Sequence, residues 1–176
     1  MNQEDRFKLY ERLYFYESER REKISARLSI TFAAILATVG FLSFMLNADT
    51  HPRWCVAQML FWLLFIASAC ALLVGAWFFR RAWYGNTDQH LPPADKIEAY
   101  HAELVTLYRD EPNADELVQK YFSSFMFDYY IKTSSIITAN NDGRTYSIYR
   151  ANLSLTIAVL LSFLAAIPFY VGRIVN

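Results

Sequence analysis

Few side chains in this sequence are spaced for chemistry. Glu98 and His101 form a Glu-x-x-His pair, the unit from which helical bundles build di-iron sites, but such a site needs a second pair and two further carboxylates, and no second pair occurs. His101-Ala-Glu103 has the spacing of half a zinc-deaminase motif; its Pro-Cys-x-x-Cys partner is missing, and Cys55 and Cys70 both fall in an apolar stretch. There is no Gly-rich phosphate loop, no Gly-x-Ser-x-Gly elbow and no His-Glu-x-x-His. The expectation is a chain with no catalytic residue, no metal ligand set and no cofactor.

The densest group of binding-type side chains is Arg144, Tyr146, Tyr149, Arg150 and Asn152, preceded by Asn140 and Asn141, with Arg80 and Arg81 as potential neighbours. Cations interleaved with aromatics can hold an anionic nucleotide by charge and stacking. The same residue types bind lipid phosphates at a membrane interface. Arg80, Arg81, Arg144 and Arg150 are therefore candidates for a ligand or partner interface, with both readings open.

The elements that carry these residues are set by hydropathy. Leu28 to Leu46, Cys55 to Phe79 and Ala151 to Gly172 contain no Asp, Glu, Lys, Arg or His. A hydrocarbon core of roughly 30 Å takes about 20 helical residues, so each stretch is long enough to cross it. All but two of the seventeen Lys and Arg residues lie in 1–27 and 80–150, the exceptions being Arg53 and Arg173. Cytoplasmic segments beside membrane spans hold the excess of basic residues, which puts the N-terminus and 80–150 inside and the 47–54 connector and C-terminus outside. Trp54, Trp77, Trp83, Tyr84, Tyr149 and Tyr170 stand near the span ends, as interfacial rings should. The first apolar run begins only after a 27-residue region containing seven basic and six acidic residues, too late for a cleavable signal peptide.

The fold class that follows is an all-α membrane protein with three transmembrane helices and a helical cytoplasmic module. Its parts are an N-terminal helix (1–27), a hairpin of spans (28–79), the module (80–150), and a third span with a short outer tail (151–176). Residues 3–26 read as a helix running into the first span, with a partial stripe of Phe7, Tyr10, Leu13, Tyr14 and Ile24 that can pack on the module or on a neighbouring protomer. Gly85 to Pro93 reads as an irregular connector. A helix from Ala94 to Arg109 then presents Ile97, Tyr100, Leu104, Leu107 and Tyr108, and Pro112 ends it. Asn113 can cap a second helix, with Asp115 and Glu116 in its first turn and a stripe of Leu117, Tyr121, Phe122, Phe125 and Tyr129. Asn140-Asn141-Asp142-Gly143 is a turn signal, so a break is expected before a last helix from Arg144 to Val171; one continuous helix is the alternative.

Each span carries small residues at four-residue spacing: Ser29, Ala33 and Ala37; Ala67, Ala71 and Gly75; Ser154, Ala158, Ser162 and Ala166. Small residues let membrane helices approach closely, so these faces suit either an intramolecular bundle or a homo-oligomer. The spans lack the ionisable groups that proton relays, voltage sensors and ion-coupled transporters use. Net charge is zero with a pI near 6.8, which argues against a strongly basic nucleic-acid surface, and no direct DNA binding is expected. Cys55 and Cys70 are about 22 Å apart along one helix, too far to bond within it.

The charged helix Tyr10-Glu11-Arg12-Leu13-Tyr14-Phe15-Tyr16-Glu17 with Arg20-Arg21-Glu22-Lys23, the close pair of spans, and the helical segment after Arg80-Arg81 carry a resemblance. So do Ala139 to Arg144 and Tyr149-Arg150-Ala151-Asn152. In these the chain resembles the SLATT-type small transmembrane effectors of bacterial nucleotide-signalling and retron anti-phage cassettes, departing from their two-span pattern by its third span. The resemblance implies a homo-oligomer in the bacterial inner membrane that permeabilises the bilayer after an infection signal, with a soluble defence partner or nucleotide signal as its trigger. It brings no catalytic residues. The alternative is a non-catalytic membrane anchor or accessory subunit that recruits a soluble partner.

Overall fold

The computed structural model describes residues 3–47, 55–84 and 90–174, with side chains from Glu4–Asn47, Val56–Tyr84 and His90–Val171. The connector with Arg53 and Trp54, the Gly85–Gln89 part of the next connector, and the side chains of Cys55 and Arg173 lie outside what is described. Four helices make up the described chain: α1 (Gln3–Asn47), α2 (Cys55–Tyr84), α3 (Ala94–Leu107) and α4 (Ala114–Ile174). Three of them, α1, α2 and α4, contain stretches long and apolar enough to cross a membrane. By length and hydropathy the chain is a multi-span, all-helical membrane protein.

The chain divides into two compact units, Met1–Glu22 with Thr87–Asn141, and Lys23–Asn86 with Asp142–Asn176. In the first, the start of α1 packs inside the same chain, on α4. Phe7 meets the edge of Tyr130 at 5.6 Å, Tyr10 meets Phe127 at 5.4 Å, and buried Tyr14 lies 5.7 Å from Tyr130. α3 lies on α4 through Tyr100 on Phe125, His101 on Phe122 and Tyr108 stacked on Tyr121. Leu104 is its buried anchor, whereas Leu107, expected inside, is 68% exposed, and the helix stops two residues short of Arg109. A tight turn through 108–113, fixed by Glu111 N–H donating to Tyr108 O, takes the chain into α4 before Pro112 can extend α3.

In the second unit the inward residues of α2 are Phe61, Phe65, Ser68, Leu72, Gly75, Phe79 and Ala82. Those of α4 are Ile148, Ala151, Leu155, Ala158, Ser162, Ala165 and Phe169, and those of α1 are Ile24, Leu28, Thr31, Ile35, Thr38, Leu42 and Met45. All three series step by alternating threes and fours. That average of about 3.5 residues is the repeat of left-handed coiled-coil packing, the commonest geometry of membrane bundles. The α2–α4 contact is close: a Cβ added to Gly75 would sit 3.4 Å from Ala151 O, and Ser68 Oγ donates to Ala158 O at 2.7 Å.

The expected break at 140–143 does not occur, and α4 runs unbroken for 61 residues. Gly143 has no positive φ, so it does not adopt the left-handed conformation a glycine turn would use. The reason is tertiary: Asn141 is fully buried and bonds to α1, which offsets the poor helix propensity of Asn, Asp and Gly in this stretch. α4 also continues through Pro168, which is buried near its end.

Candidate functional site

Arg80 and Arg81 line one groove that Arg144 and Arg150 do not share. Arg80 and Arg81 are exposed near the end of α2 and, with Trp77 and Tyr84, line a groove of about 440 Å³. These residues are spaced i, i+3, i+4, i+7, one helical face, and Ala82, 1% exposed, marks the opposite, packed face. Arg150 is exposed on α4 and its guanidinium carbon lies 5.5 Å from the Phe78 ring centroid, a cation–π contact. Arg144 is half-buried. Arg150 is six positions after Arg144, which at about 100° each turns them to different sides of α4. Neither lines the groove with Arg80 and Arg81.

The small-residue faces divide in the same way. Ala158, Ser162 and Ala166 are buried, Ser154 is half-buried, and Gly75 is buried against α4 with Ala67 and Ala71 half-buried beside it. In contrast, Ser29, Ala33 and Ala37 are all exposed, as is Gly40, around whose Cβ position nothing lies within 4 Å. Of the two uses left open for the small-residue faces, that of the first span is not turned into the bundle. Its inward face is the larger series Leu28, Thr31, Ile35, Thr38 and Leu42, because Thr31 Oγ1 donates to Asn152 Oδ1 (2.9 Å) and Ile35 and Leu42 fill the core with Leu72 and Leu155.

A polar cluster that sequence reasoning passed over lies in the first unit. Glu17 is 5% exposed, and Asn141 Nδ2 donates both to its backbone O and to its Oε2, each at 2.9 Å. Arg20 Nη1 stands 3.4 Å from both carboxylate oxygens. A buried carboxylate costs several kcal/mol unless it is paired and hydrogen-bonded, so this arrangement is a structural latch between α1 and α4. The signal was present: Glu17 continues the 3–4 spacing of Phe7, Tyr10 and Tyr14, and Asn141 that of Tyr130, Ser134 and Ile137.

The residues first considered for metal chemistry are dispersed. Glu98 and Glu103 are exposed, His101 sets its ring edge-on to Phe122, and among the described residues no three His, Cys, Asp or Glu side chains gather as a metal-binding group. Nearby, burial first and a hydrogen bond with Tyr121 second push the Tyr108 phenol above its ordinary value. At the N-terminus the Lys8 ammonium, by hydrogen bond and then by charge, holds the exposed Glu4 carboxyl below the usual range. Compared with known protein families, curated proteins and solved structures, the chain matches none.

Proposed function

We propose that this chain is an oligomeric effector of bacterial anti-phage defence in the inner membrane, which permeabilises or depolarises that membrane when its cytoplasmic part is triggered. The observation that carries the self-association is the outward stripe of Ser29, Ala33, Ala37 and Gly40 on α1. A membrane helix whose opposite face is already packed gains nothing from small residues facing lipid, whereas a second copy can approach closely along them. The distribution of Lys and Arg supports a cytoplasmic N-terminus and 80–150 segment, with the C-terminus outside.

Triggering requires a ligand or partner with different affinity for two helix packings. Arg144 and Arg150, beside the third span, are the residues assigned to that response, and a soluble defence partner or nucleotide is the class of trigger. The test is dye entry and membrane potential in bacteria expressing the chain, with and without phage challenge. Wild type depolarises the cells; Arg144→Ala with Arg150→Ala inserts normally and responds weakly. A double variant as active as wild type removes the arginines from the reading, and an intact potential on challenge despite verified insertion removes the effector role.

One observation favours a second reading, an anchor or accessory subunit that recruits a soluble partner. Leu9, Leu13, Phe15 and Tyr16 are between 39% and 62% exposed on the charged part of α1, outside the apolar stretch, where lipid would not cover them. An anchor co-purifies with a stoichiometric partner and leaves the membrane potential intact.

A further inference from the structure

The outward face of α2 carries two arginines with no ion-pair partner among the described residues, and what surrounds them has the layout of a phospholipid. Trp77, Arg80, Arg81 and Tyr84 line their groove of about 440 Å³, inside the roughly 300–1,000 Å³ range of small-molecule sites. The same helical face continues toward the start of α2 as Met59, Leu63, Ile66, Cys70 and Leu73, all exposed, with Leu73 at 71%. It is an uninterrupted apolar track that ends at two guanidinium groups. Acyl chains fit the track and a phosphate fits its end.

The depth is also right. The uncharged stretch of α2 is 25 residues, about 37 Å of helix, so a span begun at Cys55 brings Arg80 and Arg81 past the hydrocarbon core to headgroup level. Arginine donates paired N–H groups to phosphate oxygens, and indole and phenol rings on either side occupy the headgroup zone. A soluble phosphate compound would use the arginines and leave the apolar track unused.

We infer that Trp77, Arg80, Arg81 and Tyr84 form a binding site for the phosphodiester headgroup of an anionic phospholipid whose acyl chains lie along Leu73, Cys70 and Ile66. The assignment rests on α2 being a membrane span but not on the effector role.

The full chain is reconstituted in phosphatidylcholine vesicles with and without phosphatidylglycerol, and tryptophan quenching by brominated forms of each lipid gives their relative affinity. Wild type prefers phosphatidylglycerol, and the preference falls about fivefold for each arginine replaced in Arg80→Gln and Arg81→Gln, since a basic residue near an anionic surface contributes about that factor. It weakens with added salt in the wild type, a readout that needs no variant to fold. Equal quenching by the two lipids, a preference indifferent to salt, or displacement of brominated phosphatidylglycerol by inorganic phosphate at the same headgroup concentration each overturns the lipid site. A chain that washes off the vesicles in carbonate instead overturns the membrane-span reading itself.

Discussion

Replacing Gly143 with Ala separates the two ways of folding Asn140-Asn141-Asp142-Gly143. In the structure Gly143 is an exposed mid-helix residue of α4 with no positive φ, and an added Cβ meets nothing within 4 Å. Alanine there removes backbone freedom from the unfolded chain without strain, so the helix gains about 1 kcal/mol. For a chain of this size that raises the thermal midpoint by about 2–4 °C. Were the four residues a turn with glycine in the left-handed region, the same substitution would cost about 1–2 kcal/mol, and the midpoint would fall. The companion change, Asn141→Ala, has the opposite sign. It gains about 0.6 kcal/mol of helix propensity but loses one bond to a carbonyl and one to a carboxylate, together about 3 kcal/mol, and leaves Glu17 buried with Arg20 alone. A net loss of about 2 kcal/mol follows from these terms. Far-UV circular dichroism melts of the full chain in one detergent, with hydrogen exchange across 138–148, measure both. A lowered midpoint for Gly143→Ala, or an unchanged one for Asn141→Ala, refutes the argument that the Glu17–Asn141 latch holds α4 continuous.

Two alanines of the spans should respond differently to the same enlargement. Ala158→Leu forces bulk into a fully buried position facing Ser68 and destabilises the monomer by about 1–3 kcal/mol or more, read as a lower thermal midpoint. Ala33→Leu lies on the outward face of α1 and leaves that midpoint within about 0.5 kcal/mol, while chemical cross-linking in membranes shifts from oligomer to monomer. The raised Tyr108 phenol also has a pH consequence. Its neutral form is favoured in the folded state, so the stability it contributes is present below the unfolded value near pH 10 and is lost as pH rises through the folded value. The ultraviolet difference titration of wild type against Tyr108→Phe should show this one phenol ionising late, and Tyr121→Phe should bring it earlier.

Hydropathy alone determined that there are three spanning stretches, because burying some twenty uncharged residues in lipid outweighs any local preference. It also determined that the charged N-terminal segment and the first span are one helix, since nothing between Gln3 and Asn47 breaks it. Turn chemistry was less decisive. Asn-Asn-Asp-Gly favours a turn by propensities of about 1 kcal/mol or less per residue, and a buried Asn141 with two bonds to Glu17, 124 residues away in sequence, reverses that balance. Small residues at four-residue spacing announced close packing in all three spans, but spacing carries no information about which side has a neighbour. Only the tertiary structure turned Ala158 and Gly75 inward and left Ala33 facing out. The arginines followed the same logic: their charge and their place near the ends of apolar stretches were legible in the chain, while the shared groove of Arg80 and Arg81 and the different directions of Arg144 and Arg150 depend on helical phase and on which faces the bundle had already covered.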